Sequence, residues 1–205
     1  MFLRTILISC VISALTYLPL CAQTTWMDSL SFSLKSDHEF YGLKLENDTL
    51  KIISAKSFAY YPFGEFDRPN KLKSSLGKLF HLSYIPIFFY CDKSGPLDTL
   101  FRFQFKTSVL DFFFTGLSGE SPPTMEVAKV IVNDAGIRFV NGIEIGMIKT
   151  NLFSKVLSRK MPKEVRAIKT IEVARALDGQ RCIFSFIGER LSQIQIYTDS
   201  QYCEK

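Results

Sequence analysis

One stretch of the chain, residues 145–197, carries the pattern that most restricts the fold. It opens with a Gly146-Met147 turn and continues as a short amphipathic segment, which predicts a helix ending near Leu157. Three segments with alternating apolar residues follow, separated by turns at Asp178-Gly179 and Gly188-Glu189. Alternation bounded by turn residues is typical of β-hairpins. The stretch therefore predicts one helix followed by a three-strand antiparallel meander.

A looser copy of this pattern lies upstream. Phe103 and Phe105 recur as Phe184 and Phe186, 81 residues further along the chain. Self-similarity at a fixed offset is the sequence signature of repeated modules. We therefore expect an α+β fold of two tandem repeats, each with a hairpin, a short helix packed on an antiparallel sheet, and a three-strand meander.

The repeats set the expected domain boundaries. Residues 23–116 form the first repeat, with an extra amino-terminal strand at residues 29–35 that is expected to join a sheet edge. Residues 117–126, which contain Pro122-Pro123, form the linker. Residues 127–205 form the second repeat.

A hairpin is predicted before each helix. In the first repeat, Asn47-Asp48 separates two alternating strands. In the second repeat, residues 127–132 and 137–140 alternate around a turn at residues 133–136. The two hairpins occupy matching places, which supports the repeat interpretation.

The first helix is predicted from a capping signal and an apolar stripe. Asp67 precedes Pro69, and Asp is a preferred N-cap while Pro is tolerated in the first turn. Gly77 is expected to limit the helix. The stripe consists of Leu72, Leu76 and Leu79.

The first 22 residues are expected to be a secretory signal peptide. Their one charged residue, Arg4, precedes an apolar run over residues 6–20, and the small residue Ala22 precedes Gln23. A membrane anchor is the alternative, but the run falls short of the ~20 apolar residues that a spanning helix needs. Lipidation at Cys21 would instead make an outer-membrane lipoprotein, which is the only form we expect to be membrane-associated. We predict an exported protein, periplasmic or extracellular.

Composition narrows the classes of partner. Removal of residues 1–22 lowers the formal net charge from +5 to +4, because Arg4 is lost. That charge is too small to indicate nucleic acid binding. The remaining length can form one large domain or two small ones with a hydrophobic core.

Three cysteines remain in the exported chain, namely Cys91, Cys182 and Cys203. An exported protein meets conditions in which disulfides form, and three thiols allow at most one internal bridge. We expect Cys182 to pair with Cys203. The alternative is that all three are small buried apolar residues.

The turn at Gly146-Met147, the helix to Leu157 and the hairpin with Phe184, Phe186 and Leu191 resemble a known module. The module is shared by β-lactamase-inhibitor-like proteins and small lipoproteins of the outer-membrane assembly machinery. This resemblance implies helices on one face of an antiparallel sheet, with the module present twice. It also implies a non-enzymatic envelope protein that binds other proteins.

No residue pattern identifies a catalytic, metal or cofactor site. A nucleophilic dyad of Cys91 with His81 would require the two side chains to meet across a strand, beside an oxyanion site. His38, between Asp37 and Glu39, is interpreted as part of a surface turn, since three neighbouring residues rarely converge on one ion. We therefore predict a non-enzymatic protein without a cofactor.

The candidate binding residues are Phe88, Tyr90 and Phe113. They lie in segments whose apolar residues point to both faces of a strand, although one face of an antiparallel sheet is usually polar. The two repeats packing together, or the amino-terminal strand, would explain this pattern without a partner. An exposed apolar patch would instead indicate an interaction site.

We expect the chain to act as a non-catalytic protein-binding or assembly module of the cell envelope, contacting an envelope protein or a second copy of itself. The alternative is a carrier of an apolar small molecule or lipid, and an enzyme that uses Cys91 ranks third.

Overall fold

The computed structural model describes residues 40–54, 62–89, 97–115, 124–157, 160–175, 179–198 and 202–204. In these ranges two α-helices are present, α1 (Pro69–Leu76) and α2 (Lys149–Leu157), with a 3-10 helix at Lys163–Val165. The ten strands are β1 (Phe40–Glu46), β2 (Thr49–Ser54), β3 (His81–Phe89), β4 (Leu97–Phe105), β5 (Ser108–Thr115), β6 (Thr124–Val132), β7 (Thr170–Arg175), β8 (Arg181–Ile187), β9 (Arg190–Tyr197) and β10 (Tyr202–Glu204).

All ten strands belong to one mixed sheet, in the order β1-β2-β7-β8-β9-β6-β5-β4-β3-β10. β2 and β7 run parallel, and the other pairs are antiparallel. The predicted fold of two tandem repeats, each a helix packed on its own antiparallel sheet, is therefore wrong. The meanders β3-β4-β5 and β7-β8-β9 exist as predicted, but β6 pairs with both and unites them in one sheet.

The pairing of β6 explains the error. Its predicted hairpin partner, residues 137–140, forms only an isolated bridge between Arg138 and Glu144. Ile137, Phe139 and Ile143 are buried in the hydrophobic core instead of facing β6. Both edges of β6 are consequently taken by β5 and β9.

Several local predictions are confirmed. The β1-β2 hairpin turns at Asn47, which has a positive φ of 52°. α2 ends at Leu157, and α1 ends before Gly77, whose φ of 105° suits a residue without a side chain. Leu79 lies outside α1 and is 78% exposed. The predicted cap is wrong, because Arg68 occupies the N-cap position and the Asp67 carboxylate accepts a hydrogen bond from Lys71 at 2.7 Å.

The core lies on one face of the sheet, which we call the inner face. Alternate residues of the strands meet Leu72 of α1 and Leu152, Phe153 and Leu157 of α2 in one buried cluster. The aromatic rings pack edge to face, as in the pair Phe103–Phe112 with centroids 5.9 Å apart. The connecting segments complete the cover of this face with Phe63, Phe80, Phe139, Met161 and Val165.

The expected disulfide between Cys182 and Cys203 does not form. Cys182 is a free, buried thiol on β8, while Cys203 lies on β10, and five strands separate β8 from β10 in the sheet. Strands are spaced about 4.8 Å apart, and a disulfide requires Cα atoms within about 7 Å. Burial raises the pKa of the Cys182 thiol.

Several predictions fall on residues outside the described ranges. These are the signal peptide with Cys21, the strand at residues 29–35, the turn with His38, and residues 90, 91 and 117–123. Residues 124–126, at the end of the predicted linker, begin β6. Within the described residues, none of the helices is long and apolar enough to cross a membrane.

Candidate binding surface

The face of the sheet opposite the helices, which we call the outer face, carries continuous rows of side chains. Strand register aligns neighbouring residues across the sheet. One row runs from β1 to β3 through Gly42, Ile53, Ala174, Arg181, Tyr197, Lys129, Asp111, Arg102 and Ser83. A parallel row runs through Lys44, Lys51, Glu172, Ile183, Gln195, Ile131, Val109, Gln104 and His81.

The outer face is buried only in part over β4, β5 and β6, since Gln104 and Glu126 on this face are exposed. Asp111 has no exposed surface and accepts two hydrogen bonds from Arg102. Leu100, Phe113 and Ala128 are buried together beside this ion pair, in a cluster separate from the main core. The patch around Asp111 and Phe113 therefore has the environment of a protein interior.

The outer face is open over β1, β2, β7, β8 and β9. Ile53 is 44% exposed and Ile187 is 78% exposed. We call this region the exposed outer surface and define it by Lys44, Lys51, Ile53, Glu172, Arg181, Ile183, Gln193 and Gln195. On this surface, aliphatic side chains lie beside charged and amide side chains, and all of them are on strands of a single sheet.

Hydrogen bonds hold several polar side chains of this surface in place. Gln195 Nε2 donates to Gln193 Oε1 at 2.7 Å, and Gln193 Nε2 donates to Asn133 Oδ1 at 2.8 Å. Asn133 Nδ2 in turn donates to the carbonyl of Thr107 at 3.1 Å. The amide groups are thus fixed by a chain that reaches from β9 to the β4-β5 turn.

A depression of about 400 Å³ lies at the β1 end of the exposed outer surface. Its floor is apolar, because Gly42 and Ala174 flank Ile53 in the row described above. Lys44, Lys51, Glu172 and Arg181 surround this floor with charged groups. The small side chains of the row create the space between the long charged ones.

Two of the lysines share one carboxylate. Glu46 forms ion pairs with Lys44 and with Lys51, the latter at 2.6 Å. Hydrogen bonds from these two ammonium groups lower the pKa of Glu46 to about 2. The hydrogen bond that Lys51 donates to Glu46 raises the pKa of Lys51. The charge of Glu172 adds to that rise, and the charge of Arg181 opposes it. Lys51 and Arg181 are thus two cations that line the same depression.

The structure places the predicted site residues apart from this surface or leaves them undescribed. Phe113 belongs to the buried patch of the outer face and is 5% exposed. Phe88 pairs with Leu97 and Cys203 through the backbone of β3, and Tyr90 lies outside the described residues. Binding of a partner through these three residues stays a prediction. His81 is exposed at the start of β3, and Cys91 is not described.

Sequence reasoning missed Ile53 and Arg181. A signal for Ile53 was present, because the neighbours Ile52 and Ile53 must point to opposite faces of β2, as do the consecutive aromatic residues of β5. Ile52 is 2% exposed and Ile53 is 44% exposed. No local signal links Arg181 to residues of β1 and β2, because the parallel β2-β7 pair brings them together.

Among the described residues, no group of three or more His, Cys, Asp or Glu side chains is arranged to hold a metal ion. No protein-family model matches the chain, and neither a curated protein nor a solved structure matches it.

Proposed function

We propose that this chain is an exported, non-catalytic protein-binding or assembly module of the cell envelope, and that its partner docks on the exposed outer surface. The observation that carries the proposal is the exposure of Ile53 within a frame of charged and amide side chains on strands of a single sheet. Apolar contacts inside a polar rim are the usual anatomy of protein interfaces. The amino-terminal signal pattern supports export.

The fixed polar groups favour this surface as a contact site. Side-chain ordering on association typically costs about 0.5–1.5 kcal/mol for each immobilised side chain. Gln193 and Gln195 are already held by hydrogen bonds, and Lys44 and Lys51 are held by Glu46. These side chains have less rotamer freedom in the free protein. The entropy cost of ordering them when a partner binds is therefore lower.

Site-specific photo-crosslinking in intact cells of the source organism tests the proposal. A photoreactive residue replaces Ile183, at the centre of the exposed outer surface, in the full chain. The matched control carries the same residue at Val140, which is 66% exposed and lies in the segment between β6 and α2. We expect a discrete protein adduct from position 183 and none from position 140.

The mass of the adduct distinguishes the two kinds of partner. An adduct of twice the chain mass indicates self-association, and any other discrete protein mass indicates a different envelope protein. Equal labelling from both positions, or none from position 183, would contradict the proposed surface.

A further inference from the structure

The depression at the β1 end of the exposed outer surface has an apolar floor and a cationic rim. Ile53 supplies the floor, and the space above it exists because Gly42 has no side chain. A Cβ at position 42 would lie 3.6 Å from Cδ1 of Ile53, in ordinary van der Waals contact. An apolar group of a partner can therefore contact Ile53 at this place.

Among the described residues, one cation of the rim has no counterion. Glu46 neutralises one charge of the Lys44 and Lys51 pair, and Glu172 lies opposite Lys51 in the register of β2 and β7. Within the described part of the chain, Arg181 forms no side-chain hydrogen bond or ion pair. Arg181 and Lys51 both line the depression, so their positive charges repel each other. An incoming anion would relieve that repulsion.

The shape of the site favours a side chain over a free small molecule. Small-molecule sites usually bury 70–90% of the ligand, whereas this depression is open along the face of the sheet and exposes 44% of Ile53. An arginine fork matches a carboxylate through two parallel hydrogen bonds. A carboxylate and an apolar group on adjacent residues of a protein segment would meet both the rim and the floor.

We infer that the depression lined by Gly42, Ile53, Ala174 and Arg181 binds an acidic side chain of a partner protein, presented beside an aliphatic side chain. This inference rests on the proposed function and specifies the chemistry of the partner. Arg181 holds the carboxylate, and Ile53 contacts the aliphatic group. Lys44 and Lys51 add a positive potential that favours approach of an acidic segment.

Binding to immobilised short peptides tests this recognition. The probes are two peptide series identical except at one position, in which Leu is followed by Glu or by Gln. The mature chain should bind the Leu-Glu series more tightly. We expect Arg181→Gln to reduce binding of the Leu-Glu series by about tenfold, because a hydrogen bond to a charged group contributes about 1.5 kcal/mol or more, and to remove the preference over Leu-Gln.

A matched control variant separates this recognition from general charge attraction. Arg166→Gln removes an exposed arginine outside the depression and should leave the preference intact. Equal binding of both series, or an equal effect of Arg166→Gln and Arg181→Gln, would overturn the inference. Binding of decanoate that depends on Arg181, without any peptide preference, would also overturn it, since it would identify a small anionic ligand instead.

The outcome is distinguishable from failure of the proposed function. If the Ile183 adduct forms equally well in the Arg181→Gln variant, the exposed outer surface still binds a partner and the acidic recognition is wrong. If neither the adduct nor the peptide preference is found, both proposals are wrong.

Discussion

Arg102 binds Asp111 across β4 and β5 through two parallel hydrogen bonds, from Nε to Oδ1 at 2.8 Å and from Nη2 to Oδ2 at 2.9 Å. Asp111 is completely buried, while the Arg102 side chain keeps 26% of its surface exposed. A buried carboxylate is tolerated only when its charge and lone pairs are satisfied. This ion pair therefore links β4 and β5 across the outer face.

Replacement of Arg102 by Met should destabilise the protein, because it leaves the Asp111 carboxylate buried without its counterion. We expect a loss of roughly 2–4 kcal/mol in the free energy of unfolding, below the upper range for buried pairs since Arg102 is partly exposed. Urea denaturation followed by circular dichroism measures the loss. Lys71→Met, which breaks the exposed pair with Asp67, is the control and should leave the urea midpoint nearly unchanged.

The double replacement of Arg102 by Met and Asp111 by Leu should recover much of the lost stability, because no buried charge remains. A double variant that is less stable than Arg102→Met would show that the pair contributes more than mutual neutralisation.

Replacement of Phe113 by Ala should reduce the free energy of unfolding by about 3–5 kcal/mol, the usual cost of emptying a buried phenylalanine site. The ring lies in the buried cluster with Leu100 and Ala128. Thermal melting of the purified chain measures the effect, and Tyr84→Ala, at a ring that is 60% exposed, should cost less. An unchanged melt combined with loss of a partner would support the earlier prediction that Phe113 is a binding residue.

Lys149 connects the start of α2 to the segment before β7. Its buried Nζ donates to the carbonyl of Arg166 at 2.8 Å and lies 3.5 Å from a carboxylate oxygen of Glu189. Lys149→Met keeps the aliphatic stem but leaves the carbonyl unsatisfied, so we expect a loss of about 1–3 kcal/mol. Hydrogen exchange should show faster exchange of the Ile168 amide and its neighbours.

Lys155 provides the matched comparison for Lys149. Its Nζ donates to the carbonyl of Asn141 at 2.9 Å, but the contact is exposed to water, which can replace the lost donor. Lys155→Met should therefore leave exchange across residues 160–168 unchanged. Similar effects of both substitutions would mean that burial of Lys149 is unimportant.

The carboxyl group of Asp134 makes the free energy of unfolding depend on pH. Hydrogen bonds from the hydroxyl groups of Ser108 and Thr107 and from the Thr107 amide lower the pKa of its carboxyl below the usual 3.8. A lowered pKa in the folded state contributes stability that is fully present above 3.8 and is lost as the pH falls through the lower folded-state pKa.

Comparison of the chain with its Asp134→Asn variant isolates this contribution. The difference between their urea midpoints should be constant from pH 7 to about pH 5 and should shrink below about pH 4. The pKa of Glu46 is also lowered, but Glu46 is present in both proteins. Its contribution to the pH dependence of stability therefore cancels in the difference. A difference that grows as the pH falls would refute the assignment.

Local chemistry along the chain was sufficient to predict most of the individual elements. The alternation in β4, β8 and β9 and the glycine after α1 are properties of a few consecutive residues, so they are readable without the fold. The hairpin partner of β6 was not predictable in this way, because residues 137–140 alternate like a strand, yet Ile137 and Phe139 are buried in the core and the segment does not pair with β6. The candidate surface was not predictable from local sequence either, since Arg181 and Ile53 are separated by more than a hundred residues.

The sequence by itself determined most of the strand segments and the alternation of side chains within each strand, because the period of two in a strand is fixed by backbone geometry. Only the tertiary structure decided how the strands combine. β2 pairs in parallel with β7, and β6 lies between β5 and β9, so that all strands belong to one sheet. Backbone hydrogen bonds are equally available to many strand pairings, and global packing selects among them. The same selection buried Phe113 and left Ile53 and Arg181 exposed.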